Sequence, residues 1–214
     1  MAICLILFSV RIGGINLKEH FVLASASPRR KELLSSMGID FEVVVSDADE
    51  SSVDSENIPV DIYVQELALI KAAAVAKVTD KKAVVISADT IVTADGKILG
   101  KPSDAEDAFR MLSMLSGRAH EVYTGFCVMR INDGKTECRA VKTTVYFKEL
   151  TEEKIWRYIA TGEPADKAGA YGIQGFGGML VEKIDGDYQN VVGLSVSALA
   201  DVLEQEFEIE ILKI

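Results

Sequence analysis

The chain has 214 residues, of which 49% are hydrophobic and 26% charged, and its formal net charge at pH 7 is -10. These proportions are ordinary for a folded globular protein and exclude a disordered or collagen-like chain. The acidic balance also argues against a general nucleic-acid-binding or anionic-membrane surface, since both favour net basic patches, so a polyanion would have to bind in a local cleft.

The first part of the chain is apolar but does not resemble a signal peptide. Residues 1–10 lack a basic leading region and a small-residue cleavage site, and the run is too short to span a bilayer. We interpret residues 1–10 as an extra strand, a docking segment or the product of an upstream start codon. The cysteines, Cys4, Cys127 and Cys138, are odd in number and match no metal-ligand spacing, which indicates a reducing compartment. We therefore expect a cytoplasmic protein.

Strand and helix patterns alternate along the rest of the chain and predict an α/β fold. A long hairpin sits among crossover connections, so we expect a mixed sheet rather than an all-parallel one. No proline- or serine-rich linker divides the chain, which favours two lobes folded as one unit over residues 19–214. The predicted strands are residues 21–24, 41–46, 83–92, 121–131, 136–147, 178–184 and 207–212, and the predicted helices are residues 28–37, 59–78, 104–115, 152–160 and 196–206.

The turn of the long hairpin is predicted at Asp133-Gly134, a pair that favours a tight turn. If residue 132 pairs with residue 135, then Cys127 lies opposite Ala140 and not opposite Cys138. On that register the hairpin needs no disulfide.

Two hydroxyls and two guanidiniums cluster where the first strand gives way to a helix. Ser27 is a plausible N-cap for the helix, in a run that also holds Ser25, Arg29 and Arg30. Free backbone N–H groups and the helix dipole favour an anion there, and arginine binds phosphate oxygens in a planar, bidentate geometry. The run fits a phosphate site and, equally well, a capped helix with exposed arginines.

Carboxylates suggest a second part of a site. Asp89, followed by Thr90, lies within a β-branched strand, where a carboxylate is costly to bury unless it binds a metal or is fully hydrogen-bonded. We interpret the pair as part of a cleft; the alternative is a structural carboxylate that caps a turn. The acidic loop over residues 47–51 fails the calcium-loop pattern. Glu50 either helps Asp89 to hold a divalent cation or belongs to an exposed acidic loop.

Two lysines and a glycine-rich run complete the candidates. Lys71 is the lone charge on an alanine-rich helix face, and it either points at an anion or extends to solvent. Lys101 could point into a cleft, although residues 96–101 lack the spacing of a phosphate-binding P-loop. Residues 169–178 predict a loop whose backbone approaches a ligand closely, and Gln174 there suits the edge of a base. His20 and His120 are isolated, which excludes a histidine-based triad or zinc site.

Taken together, these segments resemble the Maf family of nucleoside triphosphate pyrophosphatases. The matching motifs, from about residue 21 onward, are LASASPRRKELL, SDADES, LALIKAAAVA, ISADTIV, LGKP and AYGIQGFGGMLVEKIDGDYQNVVGL. Residues 1–18 lie outside the resemblance, which marks them as an N-terminal extension. The resemblance implies a Maf/ITPase-like α/β fold with a mixed sheet, flanking helices and two lobes around a central cleft. It also implies a homodimer and hydrolysis of a nucleoside triphosphate between its α and β phosphates.

The resemblance further implies roles for individual residues, carried over by position. Asp89 corresponds to the catalytic proton acceptor, and together with Glu50 it would hold a divalent cation, Mg²⁺ or Mn²⁺. The remaining phosphate- and metal-site positions correspond to Ser25, Arg30, Lys71 and Lys101. Positions that set base preference correspond to Arg29, Thr90 and Gln174.

Those last three residue types resemble the branch of the family that prefers dTTP and UTP, with modified pyrimidine nucleotides as further candidates. The expected products are a nucleoside monophosphate and pyrophosphate, and the expected partners include no nucleic acid and no membrane. One alternative is a nucleotide-binding regulator of septum formation or cell-division arrest with little hydrolysis. Another is a pyrophosphatase of different base preference.

Overall fold

A mixed seven-stranded sheet organises the chain in this computed structural model, which describes residues 19–55 and 57–212. The strands are β1 (His20–Leu23), β2 (Phe41–Val43), β3 (Ala83–Ala94), β4 (Lys97–Leu99), β5 (Ala119–Arg130), β6 (Thr136–Phe147) and β7 (Val181–Asp185). Their order in the sheet is β2-β1-β3-β5-β6-β7, with β4 paired to β3; β1 runs parallel to β2 and β3, and the other pairs are antiparallel. This confirms the predicted α/β class with a mixed sheet. The predicted extension over residues 1–18 lies outside the described residues.

Helices cover both faces of this sheet, and each of the five predicted ones is present with its ends within two residues of the prediction. Within the described residues, no helix has the length and apolar character needed to cross a membrane. The helices are α1 (Pro28–Ser36), α2 (Val60–Ala76), α3 (Ala105–Leu115), α4 (Glu152–Ile159), α5 (Tyr188–Val192) and α6 (Val196–Phe207).

The central strand β3 passes through two separate parts of the core. Because side chains alternate along a strand, one face of β3 presents Ile86 and Ala88 to a cluster that includes α1 and α6. Further along the same face, Val92 and Ala94 pack in a second cluster with α3 and α4. Thr90 lies between these two clusters on the same face, whereas Asp89 faces the opposite side of the sheet, towards Lys71 of α2.

Helix α2 crosses the other face of the sheet at very close range. Gly125 of β5 pairs with Asp89 of β3, and a Cβ atom on Gly125 would lie 2.3 Å from the carbonyl oxygen of Val64 in α2. The hydroxyl of Ser87 donates a hydrogen bond to the carbonyl of Ala68 at 2.6 Å. A glycine at 125 therefore lets α2 lie directly over the strand segment that carries Asp89.

The predicted register of the long hairpin is wrong by two residues. Arg130, not residue 132, pairs across the turn with Lys135, and the N–H of Gly134 donates to the carbonyl of Arg130 at 3.0 Å. The turn therefore spans residues 131–134 instead of two residues, and Gly134 within it adopts a φ of +71°. As a result Cys127 lies opposite Cys138 rather than Ala140, and both thiols are free.

Other differences concern short elements. The predicted strand over 207–212 is absent: α6 extends to Phe207, and the N–H of Ile209 donates to the carbonyl of Leu203, which closes the helix. Residues 209 and 211 pack on the first core cluster without pairing to the sheet. β2 ends at residue 43, β7 begins at 181 after a 3₁₀ turn (Gly175–Met179), and β4 and α5 are not predicted by the sequence patterns.

A buried histidine packs against the second core cluster. His120 is 2% exposed, and its Nε2 is 2.7 Å from the hydroxyl of Tyr171. The rings of Phe147 and Tyr171 pack edge-on against the imidazole. This burial lowers the pKa of His120 from its ordinary value of 6.5 to about 4.

We expect the free energy of unfolding to fall as the pH drops from 6.5 towards 4, because in that window the unfolded histidine binds a proton and the buried one does not. The loss from this group would be ~3 kcal/mol over the full window. Urea unfolding of the wild-type protein and of His120→Phe between pH 6.5 and pH 4 measures this loss. The free energy of unfolding should fall less with pH in the variant. If the two proteins show the same dependence on pH, His120 carries no such penalty.

Candidate active site

A cleft of about 840 Å³ opens beside the middle of β3, where the two core clusters separate. Its walls are the start of α1, the loop that carries Glu50, one side of α2, the turn over 163–167 and the glycine-rich loop. All nine residues that the sequence singles out line this cleft: Ser25, Arg29, Arg30, Glu50, Lys71, Asp89, Thr90, Lys101 and Gln174.

A lysine joins two carboxylates on the α2 side of the cleft. The ammonium of Lys71 donates to Oδ1 of Asp89 at 2.5 Å and lies 3.1 Å from Oε1 of Glu50. The Lys71 and Asp89 side chains are only 12% and 17% exposed, whereas that of Glu50 is 55% exposed. The attraction between Lys71 and Asp89 is strengthened because little water screens it. The carboxylate of Glu50 is open to solvent and is therefore accessible to a ligand.

The guanidinium of Arg30 is fixed by three acceptors on the opposite side of β3. Its Nε donates to the carbonyl of Gly193 at 2.9 Å, its Nη1 to Ser25 Oγ at 3.3 Å and its Nη2 to Thr90 Oγ1 at 3.0 Å. Arginine has five N–H donors, so two remain for an anion in the cleft. Burial lowers the pKa of Arg30, and the nearby carboxylate of Asp89 opposes this shift.

Further hydrogen bonds hold the Arg30 site in place. Ser27 caps α1 as predicted, accepting from the backbone N–H of Arg30 at 3.5 Å, and Pro28 occupies the first helical position. Thr90 Oγ1 lies 2.9 Å from Thr124 Oγ1, which donates to the carbonyl of Asn190 at 2.8 Å. The side chain of Thr90 thus supports Arg30.

Three of the predicted residues lie at the outer part of the cleft. Arg29 Nη1 is 3.8 Å from Asp166 Oδ2, so it links the start of α1 to the 163–167 turn. The side chains of Lys101 and Gln174 are exposed and make no hydrogen bond to another described residue. They are therefore available to a ligand that enters the cleft.

The sequence patterns missed Glu163, which also lines the cleft. Its Oε2 accepts from the backbone N–H of Phe176, and its Oε1 accepts from the N–H of Gly177 and the hydroxyl of Tyr158, all at 2.9 Å. The run of glycines over 172–178 is the signal that could have indicated such a contact. It does not indicate which acidic residue makes it.

The carboxylates suit a cation that binds together with a phosphate ligand. Among the described residues, no three histidine, cysteine or acidic side chains converge to form a complete metal site. Mg²⁺ in nucleotide sites commonly uses one or two carboxylates, with substrate phosphates and water as its other ligands. Asp89 and Glu50, which share the Lys71 ammonium, fit that donor set.

Comparisons with known proteins identify relatives of this chain. A family model described as "Maf-like protein" matches residues 20–206. A "dTTP/UTP pyrophosphatase" of Thermoanaerobacter sp. (strain X514) is 52% identical over 191 residues, covering 89% of this chain and 98% of its own. One from Bacillus cytotoxicus is 54% identical over 187 residues, covering 87% and 95%. The structure of a HAM1 protein from Coxiella burnetii has a similar fold, with a TM-score of 0.50, 17% identity, and 87% and 99% of the two chains covered.

Proposed function

Because this chain belongs to the Maf family, we propose that it is a pyrophosphatase that hydrolyses dTTP and UTP to the nucleoside monophosphate and pyrophosphate. The observation that carries the proposal is the placement of Asp89 and Lys71 against Glu50 on one side of a cleft whose other side holds Arg30. Phosphoanhydride hydrolysis needs positive charge around the phosphates and an acceptor for the proton of water. This cleft offers both.

In the proposed reaction a water oxygen attacks the α phosphorus, and the bond from that phosphorus to the α–β bridging oxygen breaks. The carboxylate of Asp89 accepts the proton of the water, and pyrophosphate leaves with the electron pair of the broken bond. Arg30, Lys71 and Lys101 bind the phosphates, and the Ser25 hydroxyl can donate to a phosphate oxygen. A divalent cation, Mg²⁺ or Mn²⁺, held by Asp89 and Glu50 would neutralise phosphate charge.

Base preference is assigned to the outer part of the cleft. Gln174 would pair with the edge of the pyrimidine, and Arg29 would close the pocket from the α1 side. Thr90 is the third position assigned to base preference, and its hydroxyl accepts a hydrogen bond from the Arg30 guanidinium.

We expect Gln174→Ala to reduce the preference for dTTP over dGTP, measured as the ratio of their kcat/KM values, about tenfold. The reason is that a base-edge hydrogen bond discriminates between bases, whereas phosphate contacts serve all of them. Steady-state kinetics with both nucleotides measures the ratio, and Gln205→Ala, at an exposed position of α6, is the matched control. An equal loss for every nucleotide would remove Gln174 from base recognition.

The proposal extends to the setting of the enzyme. A single domain over residues 19–214, with residues 1–18 as an extension, would act as a homodimer in the cytoplasm, without nucleic-acid or membrane partners. The acidic net charge and the free Cys127 and Cys138 support this setting.

A nucleotide panel tests the proposed function. Purified protein is incubated with Mg²⁺ or Mn²⁺ and dTTP, UTP, CTP, ATP or GTP, and pyrophosphate is measured separately from orthophosphate. We expect pyrophosphate from dTTP and UTP above all, and none when EDTA is present. Binding without pyrophosphate release would instead favour a nucleotide-binding regulator.

A further inference from the structure

The glycine-rich loop is wrapped tightly around one carboxylate. Glu163 receives three hydrogen bonds, from the backbone N–H groups of Phe176 and Gly177 and from the hydroxyl of Tyr158. The same Tyr158 hydroxyl accepts from the N–H of Gly172 at 3.2 Å, so the loop is held at both of its ends. Burial raises the pKa of Tyr158, so its hydroxyl keeps the proton that it donates.

The glycines of the loop are required by this arrangement. Gly175 has a φ of +67°, and a Cβ atom there would lie 2.7 Å from Glu163 Oε2. A Cβ atom on Gly177 would lie 2.1 Å from the carbonyl oxygen of Gly172 and 2.8 Å from the Tyr158 hydroxyl. The loop can therefore close around Glu163 only because these positions lack side chains.

Gln174 lies between the anchored ends of this loop. Gly172 is held through Tyr158, and Phe176 and Gly177 are held by Glu163, whereas the exposed Gln174 side chain makes no hydrogen bond to another described residue. Its position relative to the cleft is thus set by the backbone on either side. The backbone on either side is set in turn by the Glu163 carboxylate.

We propose that Glu163 is a positioning residue for base selection: its carboxylate fixes the glycine-rich loop so that Gln174 meets the nucleobase. This inference rests on the proposed function of the cleft. It assigns Glu163 no contact with the reacting phosphates. Loss of its hydrogen bonds should therefore weaken nucleotide binding and reduce its selectivity among bases, while the rate of the chemical step changes little.

The test is Glu163→Gln, which keeps the size of the side chain but has one oxygen where the carboxylate has two. The NH₂ group of the amide then faces a backbone N–H or the Tyr158 hydroxyl. Because both groups are donors, that hydrogen bond cannot form. We expect KM for dTTP to rise about tenfold and kcat to change less than about threefold. The selectivity for α,β-imido-dUTP over α,β-imido-dGTP, measured by calorimetry, should fall about tenfold.

Two further variants make the result decisive. Tyr158→Phe removes one of the three donors to Glu163 and should lower the selectivity for the uracil analogue by a smaller factor. This variant tests the proposal even if Glu163→Gln fails to fold. Glu153→Gln changes an exposed glutamate that pairs with Arg157 on α4, and should alter neither KM nor selectivity. Since the imido analogues bind without hydrolysis, binding selectivity is measured even if the wild type releases no pyrophosphate. A fall in kcat with unchanged KM and unchanged selectivity would overturn the proposal.

Discussion

Replacement of Asp89 by asparagine is expected to lower kcat for dTTP by about 10³-fold or more, because the amide cannot accept the proton of the attacking water. The carboxylate lies 2.5 Å from the Lys71 ammonium, within a pair that is largely removed from solvent. Asparagine has nearly the same shape and still offers an oxygen to Lys71. Pyrophosphate release under saturating dTTP measures the effect.

The protein itself should remain folded in this variant. One weakened, partly buried charge pair changes the melting temperature of a domain of this size by about 2–4 °C per kcal/mol lost. Circular dichroism and thermal melting check this, with Asp201→Asn on the exposed side of α6 as the matched control. A variant that is folded and has unchanged kcat would remove Asp89 from the chemistry.

Arg30→Lys should lower kcat/KM for dTTP about 10²-fold to 10³-fold, although the formal charge is kept. The guanidinium spans Gly193, Ser25 and Thr90 at once and still has two N–H donors for phosphate. An ammonium is a point charge that cannot hold all three acceptors and also present a planar pair of donors.

The loss should apply equally to all nucleotides, since Arg30 is assigned to the phosphates and not to the base. Measuring pyrophosphate release from dTTP and from GTP distinguishes a role in phosphate binding from a role in base recognition. Arg110→Lys is the control, since Arg110 is exposed and pairs with Asp107 on α3. A selective loss for one base would instead place Arg30 in base recognition. Unchanged kcat/KM would show that the planar guanidinium of Arg30 is not needed for catalysis.

The parts of the site that sequence could predict are those with local causes. The Ser27–Pro28 start of α1 follows from capping preferences, and the structure has both residues in these roles. Asp89 is recognisable from the strand alone, because a carboxylate in a β-branched run is costly to bury. In both cases neighbouring residues decide the outcome.

The contact between Lys71 and Asp89 has no such local cause. It depends on α2 lying directly across β5 at Gly125, and a lone glycine in a strand does not indicate which helix will approach it. Glu163 illustrates the same limit, because its two backbone partners are 13 and 14 residues further along the chain. The sequence marks the loop as glycine-rich, but only the fold selects the carboxylate that it surrounds.

The wrong predictions have equally specific causes. The turn at Asp133-Gly134 has a longer form than the favoured two-residue hairpin, so the register shifted by two residues. Asp95-Gly96 is a second aspartate–glycine turn, which joins β3 to β4, a strand that the sequence patterns do not predict. Residues 207–212 alternate like a strand, yet Phe207, Ile209 and Ile211 pack on the first core cluster as α6 ends, without pairing to the sheet.

The central claim is that water attacks the α phosphorus and releases pyrophosphate. Phosphorus NMR of dTTP consumed by the wild-type protein in ¹⁸O-labelled water tests it most directly. We expect dTMP that carries one labelled oxygen, together with unlabelled pyrophosphate. Formation of dTDP and orthophosphate, or label in the pyrophosphate, would contradict the account.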